Sequence, residues 1–349
     1  MKLFKTQKVK FSLGIIISLI SLYWAFKDVN FQQIIDSFKL INFQYLPIVL
    51  GLLLLSLFLR TLRWKLLLSP IRKESIKNIF SVLMIGYLGN NVLPARMGEV
   101  LRSLVLNKNY GYSKSASLAT IILERLFDGI TLLIYLGIAL WFFPFPEWVK
   151  NGGRVLGAAF LFAMILLYVM LIKKKTVIKF ISLIFVVDSL SIKISALFDR
   201  FNSGLKILKE KRKLLGISGL SLCIWFIEAL FVFTIIKSFG LNLSFLAPLF
   251  VTIMVSLGTM IPSSPGYVGT YQLLCIAAFV PFGVEKDLAL SISILMHGII
   301  LIVTTGLGLY SFWREHVNLM NFKQEVERST MKHKVSKIPQ EEIFEHRNN

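Results

Sequence analysis

Gly86-Tyr-Leu-Gly-Asn-Asn-Val-Leu-Pro-Ala-Arg-Met-Gly-Glu-Val-Leu-Arg102, running on apolar to Leu106, decides how the chain is read. It lies among segments apolar enough for the hydrocarbon core of a bilayer. Yet Gly86, Gly89, Pro94 and Gly98 interrupt it, and Asn90, Asn91, Arg96, Glu99 and Arg102 make it polar. In lipid every backbone N–H and C=O needs a protein partner, so broken backbone at membrane depth survives only where it is buried in protein or lines a watery cavity. Charged side chains at that depth are costly and mark a site by default. The stretch 76–108 therefore reads as a broken, re-entrant hairpin beside a polar cavity.

Composition agrees with a membrane setting. The 349 residues are 55% hydrophobic and 13% aromatic, with a mean hydropathy of +0.70, well above an average soluble domain. The net charge of +20 has to be read against topology first, and no nucleic-acid-binding motif accompanies it. Cys223 and Cys275 both sit in apolar segments, and His297, His316, His333 and His346 are scattered. Neither a disulfide framework nor a metal site is indicated, and no cofactor is expected. Lys2, Lys5, Lys8 and Lys10 precede an apolar run at 11–26, which is followed by Lys27 and Asp28 without a small-residue cleavage site. That pattern fits an uncleaved first span.

Outward from the broken stretch, apolar runs near the length needed to cross a bilayer fall at about 11–26, 45–68, 115–143, 153–172, 214–239 and 287–312. Two more, at 76–106 and 244–283, are interrupted by Pro and Gly. The expected fold is an all-α polytopic membrane protein of about six spanning helices plus two broken re-entrant hairpins. With each hairpin entering and leaving on one side, the cytoplasmic pieces hold 32 of the 39 Lys and Arg, and the outer pieces hold six. The positive-inside rule then places both termini in the cytoplasm, with the chain in the cell (inner) membrane. Counting each hairpin as a full crossing would put 173–213, with 11 positive charges, on the outside.

The organisation follows. Residues 1–44 form an anchor span and outer loop, and 45–172 a first membrane half with the hairpin at 76–108. Residues 173–213 form a basic cytoplasmic segment, 214–314 a second half with a hairpin at 244–283, and 315–349 a polar cytoplasmic tail expected to be disordered. The basic segment carries Ile178, Ile181, Ile184, Ile192, Leu197 and Phe201 at irregular helical spacing. It reads either as an amphipathic helix pair on anionic headgroups or as a solvated linker.

The second broken stretch is Leu257-Gly-Thr-Met-Ile-Pro-Ser-Ser-Pro-Gly-Tyr-Val-Gly-Thr-Tyr-Gln272. Pro94, Ala95 and Gly98 align with Pro265, Gly266 and Gly269 at a constant offset of 171, and Ile122-Leu123 is echoed by Ile294-Leu295. Each hairpin is followed by a span, and the charge count sets the two units in opposite orientations. Inverted repeats with Gly/Pro-interrupted segments in corresponding places point to a transporter's binding site near the midplane.

Three charges mark the span after the first hairpin. Glu124 and Asp128 share a helical face, with Arg125 one turn from Asp128, which leaves one negative charge needing a partner. Arg96 or Arg102 is the nearest candidate. Arg96, Arg102 and Arg125 suit bidentate contact with the phosphate of a lipid headgroup; the alternative is an internal salt-bridge network pinning hairpin to span. Half-helices starting near Met97 and Thr270 would turn backbone N–H groups toward an anion. Asn90, Asn91, Ser263 and Ser264 either satisfy the opened backbone or touch the headgroup. Glu228, alone in its span, is either a proton site or a hydrogen-bond partner for a neighbouring helix, and His297 takes the position corresponding to Arg125.

Asn91-x-x-Pro94-x-Arg96-x-Gly98-Glu99-x-x-Arg102, Glu124-Arg125-x-x-Asp128 and Pro262-x-x-Pro265-Gly266-x-x-Gly269 together resemble the lysylphosphatidylglycerol synthase transmembrane-region family, also called flippase-like, over about residues 45–312. The resemblance implies a protein that moves a lipid or lipid-linked sugar between leaflets. Its larger members carry a cytosolic aminoacyl-transferase domain, which this chain is expected to lack. Family members often have Glu where this chain has Gln272, which puts a proton or cation role for the second hairpin in question. The substrate-binding candidates are Asn91, Arg96, Glu99, Arg102, Glu124, Arg125, Asp128 and Gln272, with Pro94, Gly98, Pro262, Pro265, Gly266 and Gly269 as hairpin breakers.

The expected partner is therefore a membrane lipid, anionic or polyprenyl-phosphate-linked, and not a nucleic acid. Two other functions compete with transport: a membrane-embedded enzyme modifying a lipid headgroup, and an accessory scaffold of a lipid or glycan assembly pathway. Against the enzyme, no nucleophile–base pair, metal cluster or Gly-rich phosphate loop is present.

Overall fold

The computed structural model describes residues 16–93, 96–172, 199–260 and 263–316. Pro94, Pro262, the lysines of 2–10, most of the basic segment (173–198) and the tail beyond His316 lie outside the described residues. Every regular element described is helical. In chain order they are α1 (Ile16–Phe26), α2 (Phe31–Lys39), α3 (Leu46–Leu68), α4 (Ile76–Val92), α5 (Gly98–Tyr110), α6 (Lys114–Phe142), α7 (Glu147–Ile172), α8 (Lys211–Ser238), α9 (Leu246–Gly258), α10 (Thr270–Phe279) and α11 (Lys286–Arg314).

Local chemistry sets these ends. Asn30 caps α2 by accepting from the N–H groups of Gln32 and Gln33. Ser75 caps α4 through Asn78 N, and Ser113 caps α6 through Ala116 N; each supplies an acceptor to a donor that the helix leaves open. Gly111, left-handed at φ 70, closes α5 as its N–H bonds back to the Asn107 carbonyl at 3.1 Å and Tyr112 N bonds the Leu106 carbonyl at 3.2 Å. The bond from Gly111 is that of the αL helix stop.

Among the described residues, four segments are long and apolar enough to cross a membrane: Phe43–Leu68, Glu147–Leu166, Lys211–Ser238 and Lys286–Arg314. The chain is a multi-pass helical membrane protein. Of the other two expected spans, α6 runs 29 residues but carries Glu124, Arg125 and Asp128, and of the run 11–26 only Ile16–Phe26, the helix α1, lies within the described residues.

Both interruptions fall where the glycines and prolines stand. α4 and α5 lie so close that a methyl group on Gly98 would overlap the Gly86 carbonyl oxygen and sit 2.6 Å from Asn90 Oδ1; Asn90 Oδ1 instead accepts a hydrogen bond from Gly98 N at 3.0 Å. α9 and α10 are joined through a 3-10 turn at Pro265–Tyr267, and Gly269 precedes α10 at φ 89. Its N–H donates to Gln272 Oε1 at 2.8 Å. A side chain there would be strained by φ and would meet the Ser18 carbonyl of α1.

The packing is reciprocal. Taking α3–α6 and α8–α11 as two units, α3 packs on α4 and α8 on α9, α4 on α5 and α9 on α10, and α5 on α6 and α10 on α11. Across the units, α4 lies against α11 as α9 lies against α6, and α3 lies against α8. The core between them is dominated by buried Leu, Ile, Val and Phe, with Trp64, Phe231, Phe250 and Phe279 among its largest side chains.

Candidate functional site

Helical spacing gathers charge onto inward faces. Arg60, Arg63 and Trp64 stand at i, i+3 and i+4 on α3; Glu99 and Arg102 at i and i+3 on α5; Glu124, Arg125 and Asp128 on α6; Ser221, Trp225 and Glu228 at i, i+4 and i+7 on α8. Residues so spaced share a face. Where these faces meet, five guanidinium groups and four carboxylates form a connected network.

Its deep tier is closed to solvent. Arg102 Nη2 lies 2.8 Å from Glu124 Oε2, and Arg63 Nη1 2.6 Å from Asp128 Oδ1 and 2.9 Å from Ser221 Oγ. Trp225 Nε1 donates to the same Asp128 oxygen at 3.0 Å. The Arg102 guanidinium stacks on Trp64, 3.8 Å from the ring centre. Arg63, Arg102, Glu124 and Asp128 are each at most 3% exposed, so this tier ties α3, α5, α6 and α8 together.

The outer tier faces a cavity. Arg125 bridges Glu99 (3.1 Å), Glu124 (3.4 Å) and Asp128 (3.4 Å). Arg96 lies 3.6 Å from Glu99 and donates to the Met260 carbonyl at 3.4 Å, with its guanidinium 5.9 Å from the Tyr267 ring centre. On the other side, Arg60 Nη2 bonds Glu228 Oε1 at 3.0 Å, Ser56 Oγ donates to that oxygen at 2.6 Å, and Arg60 lies over Trp225 at 4.8 Å. Arg96 (φ 56) and Tyr267 (φ 59) both hold left-handed backbone without being glycine. One comes from each broken helix, and such strain persists only where its surroundings over-determine it.

The cavity itself is roughly 180 Å³, room for several waters. Arg60, Arg96, Arg125 and Glu228 reach its wall, with Asn90, Asn91, Tyr87, Tyr267, Tyr271, Trp225 and His297. Of the substrate-binding candidates read from sequence, Asn91, Arg96 and Arg125 line it. Glu99, Arg102, Glu124, Asp128 and Gln272 stand behind it. Asn91 Nδ2 is held by Thr304 and Thr305, each at 3.0 Å. Gln272 caps α10 and bonds His297 Nδ1 at 3.0 Å, and His297 stacks on Tyr271 with ring centres 4.2 Å apart. Glu228, alone in sequence, is paired through Arg60 and Ser56.

Sequence reading missed Arg60 and Arg63. Both were grouped with the basic cytoplasmic end of α3, where positive charge is unremarkable. The pattern that finds them is their placement with Ser56 and Trp64 on one face, opposite Lys65. Their burial and that of Arg102, with the placement of Arg96 on the cavity wall, takes four arginines out of the charge attributed to cytoplasmic loops. Among the described residues no group of three His, Cys, Asp or Glu is arranged to hold a metal ion.

Comparison with known proteins agrees with the motifs. A UPF0104 membrane protein of Methanocaldococcus jannaschii is 30% identical over 186 residues, covering 52% of this chain and 75% of the relative. A second from the same organism is 21% identical over 93% of this chain and 98% of its own length. A UPF0104 membrane protein of Methanothermobacter thermautotrophicus is 25% identical over 81% and 89%. No solved structure matches the chain. The model of the lysylphosphatidylglycerol synthase TM region matches residues 11–308, and the chain belongs to that family.

Proposed function

We propose that the chain moves a membrane lipid with an anionic headgroup between leaflets, passing the headgroup through the arginine-lined cavity without altering it chemically. The observation that carries this reading is the convergence of Arg60, Arg96 and Arg125 on one cavity between two broken helices. Guanidinium forks are suited to phosphate, and the surrounding network has one more arginine than carboxylate. In this reading α4–α5 and α9–α10 are re-entrant hairpins of an inverted repeat, the reciprocal packing of the two units is its signature, and both termini are cytoplasmic in an inner membrane. The deep tier is a structural clamp. The outer tier is the working surface, with Glu99 positioning Arg96 and Arg125.

The test is reconstitution into liposomes carrying a fluorescent phosphatidylglycerol and a membrane-impermeant quencher. Wild-type protein should speed exposure of inner-leaflet lipid, whereas Arg125→Ala and Glu99→Gln, inserted and folded, should fall to the rate of empty liposomes. Wild-type rates in both folded variants would remove the site assignment.

A further inference from the structure

We infer that the cavity takes a headgroup bearing one phosphate-type negative charge and free hydroxyls, such as a polyol or sugar phosphodiester, and excludes headgroups carrying an ammonium group. The inference rests on the transport reading and narrows its substrate class.

Charge accounting comes first. Each of the four carboxylates already has a guanidinium: Glu228 has Arg60 at 3.0 Å, Glu99 has Arg125 at 3.1 Å, Glu124 has Arg102 at 2.8 Å and Asp128 has Arg63 at 2.6 Å. An ammonium entering the cavity would meet a single carboxylate on the wall, Glu228, already bonded to Arg60 and Ser56, against three guanidiniums. Like charges brought together in a partly desolvated site are strongly unfavourable, and exclusion of this kind sets specificity as effectively as attraction does. The excess charge has a place. Arg96 is held by Glu99 only at 3.6 Å, with that carboxylate closer to Arg125, so Arg96 carries the least compensated charge. One monoanion neutralises the excess; a dianion would overshoot it.

Hydroxyl recognition is carried by independent observations. Tyr87, Tyr267 and Tyr271 all line the cavity, and among the described residues none of their hydroxyls makes a hydrogen bond to protein. A phenol can donate or accept, and it presents an apolar ring face beside its polar tip. Trp225 adds a further ring on the same wall. An apolar surface with a small number of placed polar groups fixes a ligand's orientation, and a polyol offers C–H faces and hydroxyls to match both.

Purified protein in detergent, titrated with lipids sharing one acyl composition, tests this through the thermal unfolding midpoint. The probes are phosphatidylglycerol, its lysyl ester, phosphatidylethanolamine and phosphatidic acid, with water-soluble glycerol phosphate as a separate arm. Phosphatidylglycerol should half-saturate the shift at a concentration at least about tenfold below those of the lysyl ester and phosphatidylethanolamine. Tyr271→Phe, which keeps the ring on His297, should weaken phosphatidylglycerol severalfold and leave phosphatidic acid unchanged. Arg96→Gln should erase the discrimination against the lysyl ester.

Stabilisation by the lipid and not by glycerol phosphate assigns the chemistry to a lipid; stabilisation by both supports the same chemistry from a soluble source. Saturable binding of the lysyl ester as tight as that of phosphatidylglycerol overturns the inference and leaves anionic-lipid transport standing. No saturable binding by any probe overturns both.

Discussion

Arg63→Gln is the sharpest probe of the buried network. Arg63 is fully buried, with Nη1 on Asp128 and Ser221 and Nη2 3.8 Å from Glu124. Glutamine is too short to span the same partners and carries no charge. Removing one member of a buried ion pair typically costs about 3–5 kcal/mol, because the other charge is left uncompensated. Here Asp128 keeps the Trp225 indole donor at 3.0 Å and Arg125 at 3.4 Å, so the loss belongs near the lower end, at about 3 kcal/mol. That is roughly a hundredfold in the unfolding equilibrium. Equilibrium unfolding in mixed micelles with increasing sodium dodecyl sulfate measures it. The apolar pair Arg63→Met with Asp128→Leu removes both charges and leaves Glu124 to Arg102 and Arg125, so it should lie closer to wild type than either single substitution. A single-variant loss under about 1 kcal/mol, or a double variant that loses the sum of the two singles, would refute the placement of Arg63 at the centre of a coupled network.

Other outcomes follow from the same geometry. Gly98→Ala forces α4 and α5 apart, because its methyl group meets the Gly86 carbonyl oxygen and Asn90 Oδ1; a loss of about 1–3 kcal/mol, with lipid transport lost in the same liposome assay, is expected. Ser113→Ala removes the cap of α6 and should lower stability by about 1 kcal/mol without changing headgroup preference. Tyr112 gives a pH signature at the loop joining α5 and α6. Its hydroxyl donates to the Arg72 carbonyl at 3.0 Å, and burial, assisted by Glu74, pushes its pKa up to about 12. The folded value lies above the ordinary phenol range near 10, so its contribution is complete below about pH 10 and lost as pH rises toward 12. Tyr112→Phe should flatten that alkaline decline in unfolding midpoint.

How much of this was visible in the sequence differs by the kind of information involved. Helix breaks were legible because glycine and proline act locally: the half-helices begin at Gly98 and Thr270, within a residue of the expected starts near Met97 and Thr270. That an arginine of the first hairpin pairs with a carboxylate of α6 was legible as a charge balance, since three charges on α6 left one carboxylate over; that it is Arg102 and not Arg96 was not. The share of Arg60 and Arg63 was not, because their partners Glu228, Glu124 and Asp128 lie 61 to 168 positions away, and a basic end on an apolar helix has an ordinary explanation. Gln272 drew attention as a departure from the family motif; spatially it caps α10 and holds His297, a role no linear pattern announces. Which arginines line the cavity and which stand behind it depends on helix rotation, which periodicity leaves open within a broad arc.

The long separations inside the ion-pair network bear on how the chain is made. Arg60 and Arg63 leave the ribosome well before α6 supplies Asp128 and before α8 supplies Glu228. At about 5–20 residues per second, Glu228 follows Arg60 by roughly 10–30 s. Two guanidiniums near one end of a nascent apolar helix can wait at the lipid headgroups by extending their side chains toward water. This order of synthesis predicts that α3 reaches its final depth only after α6 and α8 have been threaded, the arginines that bind the finished molecule together then also timing its assembly.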